Sequence, residues 1–180
     1  PLLNLPIMIN KKIEAALNMQ IAAEANSSNL YLSMASWADT HGYEGVSNFF
    51  YGQSDEERQH MLKLVKYVNE RGGKAHICAL KEPLKVFDCL THVFQDFLDH
   101  EVEVTRLINE LVHSCLENRD YTTQNFLQWY VSEQIEEEAL ARTILDKLKL
   151  IGSDKAGLYL FDRDINQLTV TSAAAPTVGI

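Results

Sequence analysis

The stretch DEERQHM places Glu57 and His60 three residues apart, on the same helical column as Phe50, Leu64 and Val68. An amphipathic helix turns such a column toward the core and its charges away from it. A carboxylate and an imidazole on the inward side therefore need a strong partner between them, or they destabilise the fold. Three other segments repeat the anomaly. Read at steps of three and four, one column runs Ile13, Leu17, Gln20, Glu24, Ser27, Tyr31, Met34, Ala38. The column around Glu57 is Val46, Phe50, Gln53, Glu57, His60, Leu64, Val68; the next is Leu90, Phe94, Phe97, Glu101, Val104, Ile108, Leu111, Cys115. The last is Phe126, Tyr130, Gln134, Glu137, Ala141, Ile144, Leu148. Each is apolar toward its ends and acidic near its middle.

Helices of similar length packed side by side bring midpoint against midpoint, so Glu24, Glu57, Glu101 and the pair Gln134/Glu137 should share one layer. Four carboxylates buried together repel, and each costs several kcal/mol in lost hydration. Protonation relieves part of that cost; two divalent cations relieve nearly all of it. The donors would be carboxylate oxygens, one amide and one imidazole, with no thiolate, a set that suits iron or manganese. Paired carboxylate-bridged iron with open positions is the arrangement that activates dioxygen. A second E-x-x-H, Glu110 and His113, is read as a solvated pair: Glu110 lies nine residues past Glu101, about 180° around the helix. His41, His76 and His92 have no carboxylate partner on a core column, and His100, next to Glu101, is given no role.

The elements that must position these groups are four long helices. The first is expected from about Asn10, an N-cap, to Asp39; the second from about Glu44 to Arg71, stopping at Gly72–Gly73. The third begins near Asp88, another expected N-cap, and ends around Glu117; the fourth runs from about Thr122 to Gly152. Each would be roughly 42–45 Å long. Short links make the first and second helices antiparallel neighbours, and likewise the third and fourth. The link from Gly73 to Phe87, about 15 residues, can reach roughly 50 Å and so run back along the whole bundle. The expected fold is thus all-α: an up-down-down-up four-helix bundle with one long crossover, over residues 10–152. A short amphipathic helix follows at 153–168, with an N-terminal segment at 1–9 and a small, polar tail at 169–180.

With 46% apolar residues, the 180-residue chain can bury one substantial core. Its net charge of −9 argues against nucleic acid and anionic membrane surfaces as partners. Cys78, Cys89 and Cys115 form no C-x-x-C pair, which fits a reducing compartment and argues against a disulfide framework, a zinc knuckle or a rubredoxin-type iron site. No apolar run approaches the roughly 20 residues of a membrane span. The opening PLLNLPIMIN lacks a basic region and a small-residue cleavage site, so it is not read as a signal peptide. A cytoplasmic protein is expected.

The order Glu, E-x-x-H, Glu and a final i,i+3 pair, with DEERQHM, NFLQWYVSEQIEEE and AGLYLFD, resembles the non-haem bacterial ferritins over about residues 8–168. The resemblance implies iron storage: Fe(II) bound as a pair, oxidised by dioxygen or hydrogen peroxide at a ferroxidase centre, and deposited as ferric mineral inside a 24-subunit shell. It implies Glu24, Glu57 and His60 at a first iron, with Glu57 bridging, and Glu101, Gln134 and Glu137 at the second. Tyr31 matches the tyrosine beside that centre. Glu56, Glu133 and Glu136 match a third iron position, with Glu137 shared, and the short last helix matches one that lines a fourfold axis. Three departures stand out. Gln134-x-x-Glu137 replaces a second E-x-x-H, so the two iron sites are unequal. Arg58 stands where haem-binding relatives carry a methionine, so no haem is expected. The positions matching the acids of threefold channels are Gln124 and Leu127, which does not favour iron passage there. The alternative is a di-iron oxidase or oxygenase acting on an organic substrate, for which the sequence suggests no pocket.

Overall fold

The computed structural model describes residues 9–168. Helix α1 spans Lys11–Thr40, α2 Glu44–Glu70, α3 Leu90–Glu117 and α4 Tyr121–Ile151; α5, Lys155–Asp164, runs into a 3-10 turn at Ile165–Leu168. The expected N-terminal segment and C-terminal tail fall almost wholly outside the described residues.

Asn10 caps α1, its side-chain oxygen accepting from the Lys12 N–H at 2.8 Å. At the start of α4 Asp120 does the same for Thr123, and the helix begins at Tyr121, one residue before the expected Thr122. Asp88 does not cap α3. The cap position is Cys89, in extended backbone with no side-chain cap, and the Asp88 N–H instead donates to the His92 ring at 3.3 Å. Gly72 and Gly152, at φ 76° and 60°, end the second and fourth helices in a conformation that side chains disfavour.

Two apolar cores set the topology. One gathers the end of α1 (Tyr31, Met34, Ala38), the start of α2 (Val46, Phe50), the start of α3 (Leu90, Phe94, Phe97) and the end of α4 (Ala141, Ile144, Leu148), closed by Phe161 and Ile165. The other gathers Ile13 and Leu17, Leu64 and Val68, Leu111 and Cys115, and Leu127. Helices α2 and α3 therefore run parallel, α1 and α4 opposite to them, in the up-down-down-up order. The crossover between α2 and α3 travels along α1, held by a ladder of polar side chains. Asn18 bonds the Lys74 carbonyl at 3.0 Å and the His76 N–H at 2.7 Å. Asn26 accepts from the Lys81 N–H at 2.8 Å, and Ser33 donates to the Leu84 carbonyl at 2.5 Å.

Leu127 is fully buried and continues the α4 column as Thr123, Leu127, Tyr130, Gln134, while Phe126 is only partly covered and stacks on Tyr67 at 3.7 Å. Leu127 is thus a core residue and cannot line a channel; of that pair only Gln124 reaches the surface. Helix α5 seals the aromatic end: Asp162 accepts from the Val46 N–H at 2.9 Å, and Asn166 donates to the Gly45 carbonyl at 3.1 Å. Gly45 lies so close that a Cβ there would sit 1.7 Å from the Asp162 carbonyl oxygen. Among the described residues no helix is long and apolar enough to cross a membrane.

Candidate metal centre

Between the two cores lies a polar layer with one acidic residue from each long helix. Glu24 and Glu101 have no exposure, and Glu57, Gln134 and Glu137 have 3% each. Burying one large apolar side chain stabilises by about 1.5–3 kcal/mol. An uncompensated buried carboxylate forfeits one or two of those, so the flanking cores support a layer that opposes them.

Glu24, Glu57 and His60 bring one ligand atom each to within 4.8 Å of one another. His60 Nδ1 is 3.3 Å from a Glu57 oxygen and 3.9 Å from one of Glu24. On α1, Gln20, one turn before Glu24, donates to Glu24 Oε1 at 2.5 Å. Glu24 Oε2 has no hydrogen-bond partner, and neither has Glu137 Oε2. Two buried carboxylate oxygens without donors are what a hard cation would satisfy. Glu101 is differently placed. Tyr31 donates its hydroxyl hydrogen to one Glu101 oxygen and Gln134 donates its amide hydrogen to the other at 3.0 Å. Gln134 also reaches Thr105 Oγ1 at 3.2 Å, so its amide nitrogen is committed and its oxygen is the atom left for a metal.

The electrostatics express the same crowding. Burial drives the Glu24 carboxyl well above the ordinary range, and the neighbouring Glu57 adds to it. Burial raises Glu57 likewise, against contact with Glu24 that favours its charged form. Burial lifts Glu101 to about 7 although the Tyr31 and Gln134 hydrogen bonds pull it down. Glu137 is pushed up to about 9 by burial, then by the charges of Glu101, Glu56, Glu133 and Glu136. Every shift favours the protonated form, so a cation entering the layer would have to displace protons.

Of the outer acids, Glu56 and Glu133 come within 4.8 Å of each other and of His60. Glu136 is not in that group, though its charge raises both Glu56 and Glu137. Glu110 and His113 stand apart on the outer face of α3, 64% and 73% exposed, paired with Arg106 and Glu117.

Four participants were given no role in the sequence, although Trp129 and Tyr130 lie within NFLQWYVSEQIEEE. Trp129 and Tyr130 pack on the His60 ring, each at 5.2 Å between centroids. The Tyr130 hydroxyl lies beside Glu24 but outside good hydrogen-bond geometry. His100 bonds Ser27 at 2.7 Å and stands edge-on to Tyr31. Tyr130 and Ser27 lie on the core columns; Trp129 lies off them, next to Tyr130 in that same stretch.

The sequence profile of the ferritin-like domain matches residues 14–151. The chain is 44% identical over 162 residues to the probable bacterial non-heme ferritin-like protein of Haemophilus influenzae, covering 90% of this chain and 98% of that one. Against the bacterial non-heme ferritin of Campylobacter jejuni the identity is 43% over 164 residues, covering 91% and 98%. Among solved structures, an open pore ferritin from the archaeon Archaeoglobus fulgidus superposes with a TM-score of 0.86 at 46% identity, over 87% of this chain and 97% of that one.

Proposed function

This chain belongs to the ferritin-like family, and we propose that it stores iron by oxidising Fe(II) in the buried carboxylate layer and depositing the ferric product as mineral inside a hollow shell of its own copies. Iron is here the substrate. The observation that carries the reading is the layer itself: Glu24, Glu57, Glu101 and Glu137 buried at one depth, with two oxygens lacking any donor.

In this proposal Glu24, Glu57 and His60 hold one Fe(II), with Glu57 shared with a second ion that Glu101, Glu137 and the Gln134 oxygen serve. The second position has no imidazole and binds more weakly. Two Fe(II) give up two electrons, which reduce one dioxygen to hydrogen peroxide with uptake of two protons, or one hydrogen peroxide to two waters. The protein supplies pairing and charge compensation. Tyr31 and Gln134 orient Glu101, and the protons that leave the carboxyls when cations bind are available to the reduced oxygen. Glu56, Glu133 and Glu136 offer a third iron position at the edge of the layer. The shell is proposed to hold 24 subunits in the cytoplasm, with α5 at the fourfold axis and no bound haem.

The oxygenase reading is not favoured. A cavity of about 570 Å³ lies at the bundle end beneath α5, lined by residues such as Tyr43, Cys89 and Leu158, away from the carboxylate layer. The test is stopped-flow absorbance at rising Fe(II) per subunit: a fast phase that saturates near two is expected, and a fast phase with no break there would sink a paired centre.

A further inference from the structure

His60 belongs to two separate groups of ligand atoms. It stands within 4.8 Å of Glu24 and Glu57, and also within 4.8 Å of Glu56 and Glu133. The cause lies in the helix. Glu56 and Glu57 are neighbours in sequence, so they leave α2 about 100° apart, and a residue three and four positions later sits between the two columns. Helix α4 completes the second group by placing Glu133 opposite Glu56. His60 itself is only 8% exposed, and Trp129 and Tyr130 fix the space its ring can use. The outer group is not a mere cluster of surface acids. Glu137, 3% exposed and with an oxygen lacking any partner, feels the charges of Glu101 on one helix and of Glu56, Glu133 and Glu136 on the others.

The geometry points to His60 as an alternating ligand that serves either the inner position or the outer one, but not both at once. A neutral imidazole has one nitrogen lone pair to give; its other nitrogen carries the proton. Filling the outer position therefore turns an N–H, not a lone pair, toward Glu24 and Glu57, and filling the inner position leaves the outer one with oxygen donors alone. The two positions compete for one lone pair. The outer carboxylates match a third iron position by sequence; the imidazole donor there, and the exclusion it imposes, come from the placement of His60. The inference rests on the metal-binding reading of the layer.

Zn(II), which is redox-silent, tests it on the assembled protein without iron oxidation. In Glu24→Gln, which breaks the inner triad, one Zn(II) per subunit should give a Zn K-edge absorption spectrum with imidazole scattering. Adding Glu56→Gln should weaken that ion, and adding His60→Ala should remove the imidazole signal and weaken binding at least tenfold, since loss of a direct ligand costs no less than loss of its supporting shell, about 10–100-fold. His60→Gln repeats the arm with the packing volume largely kept. In Glu56→Gln/Glu133→Gln, with the inner triad intact, Zn(II) at the inner position should hold its affinity as further Zn(II) is added, whereas in the parent it should fall. An oxygen-only spectrum in Glu24→Gln, or unchanged affinity on removing His60 from it, overturns the inference. If instead the parent binds no Zn(II) in the layer, the functional reading itself has failed.

Discussion

Two E-x-x-H pairs occupy this molecule, Glu57/His60 on α2 and Glu110/His113 on α3, with the same residue types at the same spacing. The first is buried, facing Glu24 across the bundle. The second is on the outer face, and each of its members is tied to a residue of its own helix, Arg106 or Glu117. Spacing alone therefore carries no chemistry. What separates the pairs is the column they extend: Phe50, Leu64 and Val68 turn the first inward, whereas Glu110 lies half a turn away from Glu101. In the exposed pair solvent compensates the charges. In the buried pair a proton or a cation must do so.

The largest contrast is expected between Glu57→Ala and Glu110→Ala. The first should abolish the fast phase of Fe(II) oxidation, leaving slow mineral growth, while the second leaves it intact; circular dichroism should show both folded. Equal losses would erase the distinction between the pairs. His60→Ala should weaken chiefly the ion held by Glu24 and Glu57, whereas His113→Ala should change nothing in the same titration.

A third prediction uses pH to sharpen the contrast. The buried carboxyls have folded-state values above the unfolded 4.5, at about 7 for Glu101 and about 9 for Glu137. From about pH 4.5 upward the unfolded chain gives up protons that the folded one retains. Metal-free stability should therefore fall as pH rises toward about 9, and the stabilisation by saturating Zn(II) should grow over the same window. Calorimetry with and without chelator measures both slopes. The metal-free Glu57→Ala protein, relieved of one buried carboxyl, should lose less stability with pH than the parent. Smaller still, Tyr31→Phe should leave the fold intact and weaken binding at the second ion by about tenfold, because Glu101 loses one of its two donors; Zn(II) titration reads this directly.

The sequence made the inward columns legible because every one of them obeys the three-four step, and of the residues chosen only Phe126 lies off the core, where Leu127 takes its place. The topology was legible from link lengths. Local chemistry was less so. Asp88 looks like a cap, but the chain reaches α3 through extended backbone at Cys89, and a nearby ring satisfies the Asp88 N–H. The polar ladder along α1 is invisible in sequence, since Asn18, Asn26 and Ser33 find their partners in a segment about 50 residues away. The double membership of His60 also needed coordinates: it depends on how close α4 brings Glu133.

The join between α5 and α2 has a consequence for how the chain is made. The residue at the N-cap position of α2, Tyr43, offers no side-chain acceptor to that helix. The acceptor for the Val46 N–H comes from Asp162, 116 residues later, and Gly45 admits the Asp162 backbone only because it has no side chain. A nascent chain emerging from the ribosome therefore carries α2 with an open first turn, a defect of about 1 kcal/mol, until α5 has been translated. The fold of the second helix is completed by a helix synthesised more than a hundred residues later.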